Sequence, residues 1–321
     1  MKKTTVLLIA LGFLIFLILF LIKVKGEMVD FEVCYEAGKR IWIGETLYRL
    51  ADEHYQFKYP PFAALFYLPL NLFPLPMAKA IWYFIVLFSE IFLFTISLRL
   101  VNAGRAKFSL SIVATLILAK FFLRELQLGQ INAFISFLLL LAIQVVLSAE
   151  DLSSSAKERR SGLFLGLAIA LKPYSSIFIP YFLIKKKWHV LWTCLVFQAF
   201  AFFAPSLFYG LSGNLKVFQE WVSSLSHSTP GLLATQDNIS IIAFFMKWTG
   251  NGRISLICST SLIFLLALSF LFLIWKGREI SRSLLLESSI LLILIPLISP
   301  LGWDYTLLSS VLGVVIVLKN F

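Results

Sequence analysis

Apolar residues run in long stretches along this chain, and polar residues gather in the short gaps between them. The apolar stretches cover roughly 4–22, 60–73, 77–98, 109–123, 131–148, 162–171, 174–184, 188–206, 254–275, 283–299 and 305–318. A helix needs about twenty such residues to cross a bilayer, so the pattern predicts an all-α, multi-pass transmembrane bundle. Basic residues cluster in four of the gaps: Arg99/Arg105/Lys107, Lys157/Arg159/Arg160, Lys185/Lys186/Lys187 and Lys276/Arg278/Arg282. Lys and Arg concentrate on cytoplasmic loops, which assigns all four clusters to the inside. Two adjustments satisfy that assignment. The stretch 60–73, broken by Pro60, Pro61, Pro69 and Pro74, is expected to be re-entrant or to lie at the outer surface. The stretch 162–184 is expected to go out and return, turning at Lys172-Pro173, as two short halves of the kind that build intramembrane sites. About ten membrane segments result, in one domain over 1–321 without internal repeats. The outer side receives a first loop at 26–59, then 124–130, the turn at 172–173, a long loop at 207–253, and the turn at 299–304.

Composition agrees with the pattern. Hydrophobic residues make up 60% and charged residues 14%, with a mean hydropathy of +0.90; soluble domains run nearer 45–50% and 25%. The net charge of +11 sits in the inter-helix clusters and carries no expectation of nucleic-acid binding. Cys34, Cys194 and Cys258 form no paired framework, and His54, His189 and His227 are far apart, so no metal spacing is present. Lys2-Lys3 followed by an apolar run suggests a secretory signal. The run exceeds the usual h-region and no small-x-small site precedes Asp30, so an uncleaved signal anchor is expected.

The outer segments carry the unusual polar motifs. They are Asp30-Phe31-Glu32 through Gly44-Glu45-Thr46-Leu47-Tyr48, Lys58-Tyr59-Pro60-Pro61-Phe62, and Arg124-Glu125 with Gly129-Gln130-Ile131-Asn132. Lys172-Pro173-Tyr174, Gln236-Asp237-Asn238-Ile239-Ser240 and Ser299-Pro300-Leu301-Gly302-Trp303-Asp304-Tyr305 complete the set. Each has a plain structural alternative. Pro60-Pro61 also suits a helix start, Arg124 and Glu125 an interfacial ion pair, and Gly129-Gln130 a capping turn. Lys172 stands alone between two apolar halves, where an ionisable residue is costly and points to function; a snorkelling lysine is the alternative.

Taken in order, these stretches resemble glycosyltransferase family 87, polyprenol-phosphate-mannose-dependent mannosyltransferase-like membrane proteins of GT-C fold. The resemblance spans roughly residues 28–306. It implies a sugar donor linked through phosphate to a polyprenol in the bilayer, and a glycolipid, glycan or protein acceptor. It implies transfer of mannose, or another hexose or pentose, on the outer face of the plasma membrane. Asp30 matches the acidic position in the first outer loop and is the expected base. Lys172, Arg124 and Lys58 are the expected phosphate ligands. Tyr59, Gln130, Asn132, Tyr174, Asn238, Trp303 and Asp304 are expected to contact sugar or acceptor. One base without a covalent partner suggests inversion at the anomeric carbon, and no metal or other cofactor is expected. Two departures stand out. Tyr305 occupies a place where the family often has histidine, so that histidine's role is not carried over. The sequence ends at Phe321, where relatives often continue, which suggests a short or truncated member. A lipid-sugar flippase or secondary transporter would also use broken helices and an intramembrane lysine, but would need polar residues reaching both faces. A non-catalytic scaffold would need neither Asp30 nor Lys172.

Overall fold

The computed structural model describes residues 14–148, 153–277 and 283–320, nearly all of them in helices. Most of the expected signal anchor, with Lys2 and Lys3, lies outside these residues, as do Arg278 and Arg282 of the fourth basic cluster. In chain order the helices are α1 (Leu14–Val24), α2 (Val29–Trp42), α3 (Pro61–Tyr67), α4 (Leu75–Leu100), α5 (Lys107–Leu128), α6 (Asn132–Leu147) and α7 (Ser154–Leu171). There follow α8 (Phe178–Ile184), α9 (Trp188–Phe203), α10 (Ser206–Leu232), α11 (Ile241–Thr249), α12 (Gly252–Lys276), α13 (Ser283–Ile298) and α14 (Val311–Asn320). Tight 3-10 turns at Leu68–Leu72, Pro173–Ile177 and Asp304–Ser310 extend α3, precede α8 and precede α14.

This is an all-α membrane protein, with fewer full spans than the apolar runs suggest. Among the described residues three helices are long and apolar enough to cross a bilayer, namely α4, Gly104–Leu128 and α12. A fourth exists if α9 and α10, bent by 92° at their junction, are taken as one. The expected ten or so do not appear because Pro61–Leu72, Asn132–Leu147, Pro173–Ile184 and Ser283–Ile298 are apolar but too short to cross unaided. Two further expectations are corrected. The first half of the broken stretch is no ten-residue fragment, because α7 begins at Ser154, whose first turn Ser153 caps by accepting from the Ala156 N–H. The segment 207–253 is no loop, since α10 and α11 fill most of it.

α2 is an amphipathic helix. Phe31, Cys34, Tyr35, Gly38 and Ile41 form its buried face at the three- and four-residue spacing of one helical side. They bury against α3 and the Leu68–Leu72 turn, and the Phe31 ring stacks on Trp82 of α4 with centroids 5.8 Å apart. The turn leading into α2 is clamped. The Met28 N–H donates to the Gln127 carbonyl at 2.9 Å, and Lys79 of α4 donates to the Glu27 carbonyl at 2.7 Å and pairs with Glu32. These contacts deliver Asp30 to the C-terminal end of α5.

Helices α4, α6, α7 and α9 pack in sequence. α12 is peripheral: 11% of its most apolar stretch is buried against 56% for α4, so its exposed leucines and phenylalanines face lipid. Helix direction separates two ends. α5, α7 and α13 finish, and α6 starts, at one end, where the polar motifs collect. At the other end Lys187 pairs with Glu158 at 3.1 Å and Lys185 with Glu287 at 2.7 Å. The described members of the basic clusters lie at this second end, remote from the motifs.

Candidate active site

The breaks between helices at the first end surround a cavity of about 1100 Å³. Its polar lining includes Asp30, Lys58, Tyr59, Arg124, Gln130, Lys172 and Tyr174, with Trp303 and Tyr305 on the rim. Eight of the eleven expected site residues therefore meet in one place. Asn132, Asn238 and Asp304 are not among its lining residues, and each hydrogen-bonds to protein groups.

The floor is a hydrogen-bonded cluster. Gly129, with φ +69, ends α5 in the left-handed conformation that glycine adopts readily; a Cβ there would stand 2.7 Å from the Phe31 side chain. The chain then turns through Gln130 and Ile131 so that α6 starts at Asn132. The Gln130 amide donates to Asp30 Oδ2 at 2.7 Å and to the Tyr305 hydroxyl at 3.1 Å. Its carbonyl accepts from the Tyr59 hydroxyl at 3.1 Å. Beneath this layer Asn132, fully buried, accepts from Lys172 Nζ at 2.6 Å and from the Tyr174 hydroxyl at 3.1 Å. Lys172 also lies 5.4 Å from the Tyr59 ring and 5.3 Å from the Tyr174 ring, a placement that stabilises a cation. Asn132 thus meets the cavity through its bonds to Lys172 and Tyr174.

Arg124 and Glu125 do not pair with each other as a neighbouring ion pair would. Arg124 donates to Asp237 at 2.5 Å and lies 4.0 Å from Asp304, while Glu125 turns inward. Asp304, expected to meet the sugar, is buried and paired with Lys120 at 2.7 Å. Asn238 is likewise structural. Its side chain donates to the Pro300 carbonyl at 2.9 Å and accepts from the Ser240 N–H at 3.1 Å, next to the Ser240 side chain that caps α11. Backbone bonds from Ile239 to Gly302 at 2.7 Å and from Asp304 to Asp237 at 2.9 Å bind the two loops into one rim. Trp303 and Tyr305 stack on that rim at a 16° interplanar angle.

Lys58 is held from the opposite side, its carbonyl accepting from the Trp221 indole at 3.0 Å. Burial lowers the Lys58 ammonium below its ordinary range, and the Asp30 carboxylate opposes that shift. Burial raises Tyr59 well above the usual phenol value, which keeps its hydroxyl neutral and able to donate. Trp221, Leu225, Thr229 and Leu232 of α10 recur at helical spacing and line the wall. Beyond a kink at Gly210, Leu211, Leu215 and Val222 of the same helix are exposed. Sequence reading placed Glu125 and Asp237 in motifs without a site role, and did not single out Lys120 or Trp221. The available signal was the placement of Lys120 and Glu125 at the end of an apolar run. Among the described residues no three His, Cys, Asp or Glu side chains gather as a metal-binding group.

Gly302 sets the rim geometry. A Cβ at this position would stand 1.7 Å from the Pro296 carbonyl oxygen, a backbone atom that cannot swing aside. Gly302→Ala is expected to displace the Trp303 turn and destabilise the protein by about 3 kcal/mol, the upper end for overpacking. The melting temperature in detergent measures this, and an unchanged value would contradict the close approach.

Compared with family models, residues 57–300 match glycosyltransferase family 87, which covers most of the chain. No curated protein and no solved structure matches it. Asp30 precedes the matched stretch, so its place among the site residues rests on the geometry.

Proposed function

The chain belongs to glycosyltransferase family 87, and from that premise we propose that it takes its sugar from a polyprenyl-phosphate donor. The transfer goes to a glycolipid, glycan or protein acceptor, at the outer face of the plasma membrane. The sugar is mannose or another hexose or pentose. The observation that carries this reading is the mixed lining of the cavity. It combines the charged Asp30, Lys58, Arg124 and Lys172 with the apolar Ile177, Pro180, Leu225, Ile295, Ile298 and Leu301. A lipid phosphosugar has the same two chemistries: a charged, hydroxylated head on a hydrocarbon tail.

In this reading Asp30 accepts the proton of the acceptor hydroxyl as its oxygen bonds to the anomeric carbon. The bond from that carbon to the phosphate oxygen breaks, and its electron pair leaves with polyprenyl phosphate. Lys172 meets the negative charge that grows on the leaving group, with Lys58 and Arg124 nearby. Tyr59 and Tyr174 border the sugar, and Trp303 offers it a stacking face. A single displacement inverts the anomeric carbon.

Incorporation of radiolabelled sugar from polyprenyl-phosphate donors into membrane extracts, with and without the protein, tests the reaction. Equal incorporation in the two extracts would refute it. Sidedness has its own test. A single cysteine at position 186, in a background lacking Cys34, Cys194 and Cys258, is expected to resist an impermeant thiol reagent in intact cells. A cysteine at position 226 is expected to react. Labelling at 186 from outside would reverse the assignment of faces.

A further inference from the structure

Glu125 is completely buried in the last turn of α5, four residues before the glycine that ends the helix. The turn through Gly129–Ile131 brings the start of α6 back onto it. Glu125 Oε1 accepts from the Ala133 N–H at 2.8 Å, and Oε2 accepts from the Asn132 side-chain amide at 2.9 Å. A carboxylate in this position offers only acceptors, whereas an asparagine amide has one donor side and one acceptor side. Glu125 therefore dictates which way Asn132 faces. The Asn132 NH2 group must point to Glu125, which aims its carbonyl oxygen at Lys172 and Tyr174. The same NH2 group lies 3.4 Å from the Gln130 carbonyl, and the Gln130 amide in turn donates to Asp30.

We propose that Glu125 is a positioning residue for sugar transfer, setting the hydrogen-bond polarity of Asn132 and through it the placement of Lys172 and Asp30. The inference rests on the proposed roles of those two residues. Its physical content is directional. With Glu125 as the terminal acceptor, one orientation of the Asn132 amide satisfies both its neighbours, which holds the cation in place before substrate arrives and orders the amide that bonds the base. An amide at 125 removes that direction. Its oxygen can serve the Ala133 N–H, but its NH2 group then meets the NH2 group of Asn132. Asn132 must turn over, presenting donors to the Lys172 ammonium.

The test is a double-variant cycle. Glu125→Gln is expected to lower kcat/KM for lipid-donor transfer by about tenfold, the low end for a hydrogen bond to a charged group. Asn132→Asp alone places two carboxylates side by side and is expected to be similarly impaired. The combined Glu125→Gln/Asn132→Asp variant moves the carboxylate one step along the cluster. The carboxylate now at position 132 can accept from the amide introduced at position 125, from Lys172 and from Tyr174 together. The kcat/KM of this variant is expected to rise about threefold or more above both single variants, and to stay below that of the unmodified protein because the carboxylate at 132 now pairs with Lys172. A role confined to folding predicts instead that kcat/KM per folded molecule stays at the unmodified value in all three variants while their melting temperatures change. Wild-type kcat/KM in Glu125→Gln, or a combined variant no better than either single one, overturns the proposal. Melting temperatures of the same four proteins in detergent separate this inference from the functional reading. An unmodified protein that transfers no sugar refutes the reaction. Recovery of melting temperature in the combined variant would still support the polarity relation, and additive losses would still refute it.

Discussion

Replacing Asp30 by asparagine is expected to leave donor binding and folding intact while transfer falls by roughly a hundredfold or more, the scale of a lost general base. The geometry preserves one contact of the carboxylate in this substitution. Asp30 uses Oδ2 to accept from Gln130 at 2.7 Å, and an asparagine carbonyl can accept the same bond. What disappears is the capacity to take a proton. Nearby carboxylates are poor substitutes. Glu32 is held by Lys79, and Glu36 pairs with Lys39 at 2.7 Å on the exposed side of α2. Neither lines the cavity, so Glu32→Gln and Glu36→Gln are expected to be mild. Single-turnover rates with bound donor separate chemistry from binding. Near-normal turnover in Asp30→Asn would remove Asp30 as the base and require another proton acceptor.

That Asp30 could be singled out at all reflects how membrane chains display their chemistry. Polar residues are costly inside apolar runs, so those at the breaks stand out, and the breaks are where helices turn over a cavity. Asp30, Lys58, Tyr59, Arg124, Gln130, Lys172, Tyr174 and Trp303 were visible for that reason. Which break residues reach the cavity and which lie beneath it was not visible. Asn132, Asn238 and Asp304 sit in the same kinds of motif, yet each commits its hydrogen bonds elsewhere, to Lys172, to the Pro300 carbonyl and to Lys120 respectively. Those partners lie 40, 62 and 184 residues away in sequence, so no local pattern announces them. The all-α class was legible from the apolar runs, but the number of crossings was not. A run such as 131–148 reads as a span, while the 16-residue α6 is too short to be one. α10 was hidden for the opposite reason. Its exposed leucines are interspersed with polar and glycine positions, so its average hydropathy resembles a loop although its spacing is helical.

Lys172→Met is expected to reduce affinity for the lipid-phosphate donor by about tenfold to a hundredfold, since hydrogen bonds to charged groups contribute about 1.5–3 kcal/mol. Among the described residues three cations, Lys58, Arg124 and Lys172, border the cavity, and their surroundings rank them. Arg124 is committed to Asp237 at 2.5 Å and lies near Asp304, so its charge is largely matched and its loss is expected to loosen the rim. Burial lowers the Lys58 ammonium, and the backbone there is anchored by Trp221. Lys172 donates to a neutral amide oxygen and rests between two tyrosine rings, an arrangement that holds the ammonium without an amide being able to cancel its charge. Methionine keeps the aliphatic stem between those rings. It leaves no orphaned acceptor, because the Tyr174 hydroxyl still donates to Asn132 at 3.1 Å. Folding is therefore expected to be unchanged or slightly improved, as removal of a charge from an apolar setting allows. A lysine that merely snorkels predicts the opposite pairing, with donor affinity preserved and any penalty in stability. Donor-lipid affinity and melting temperature measured on one purified preparation distinguish the two, and unaltered affinity would take Lys172 out of the phosphate site.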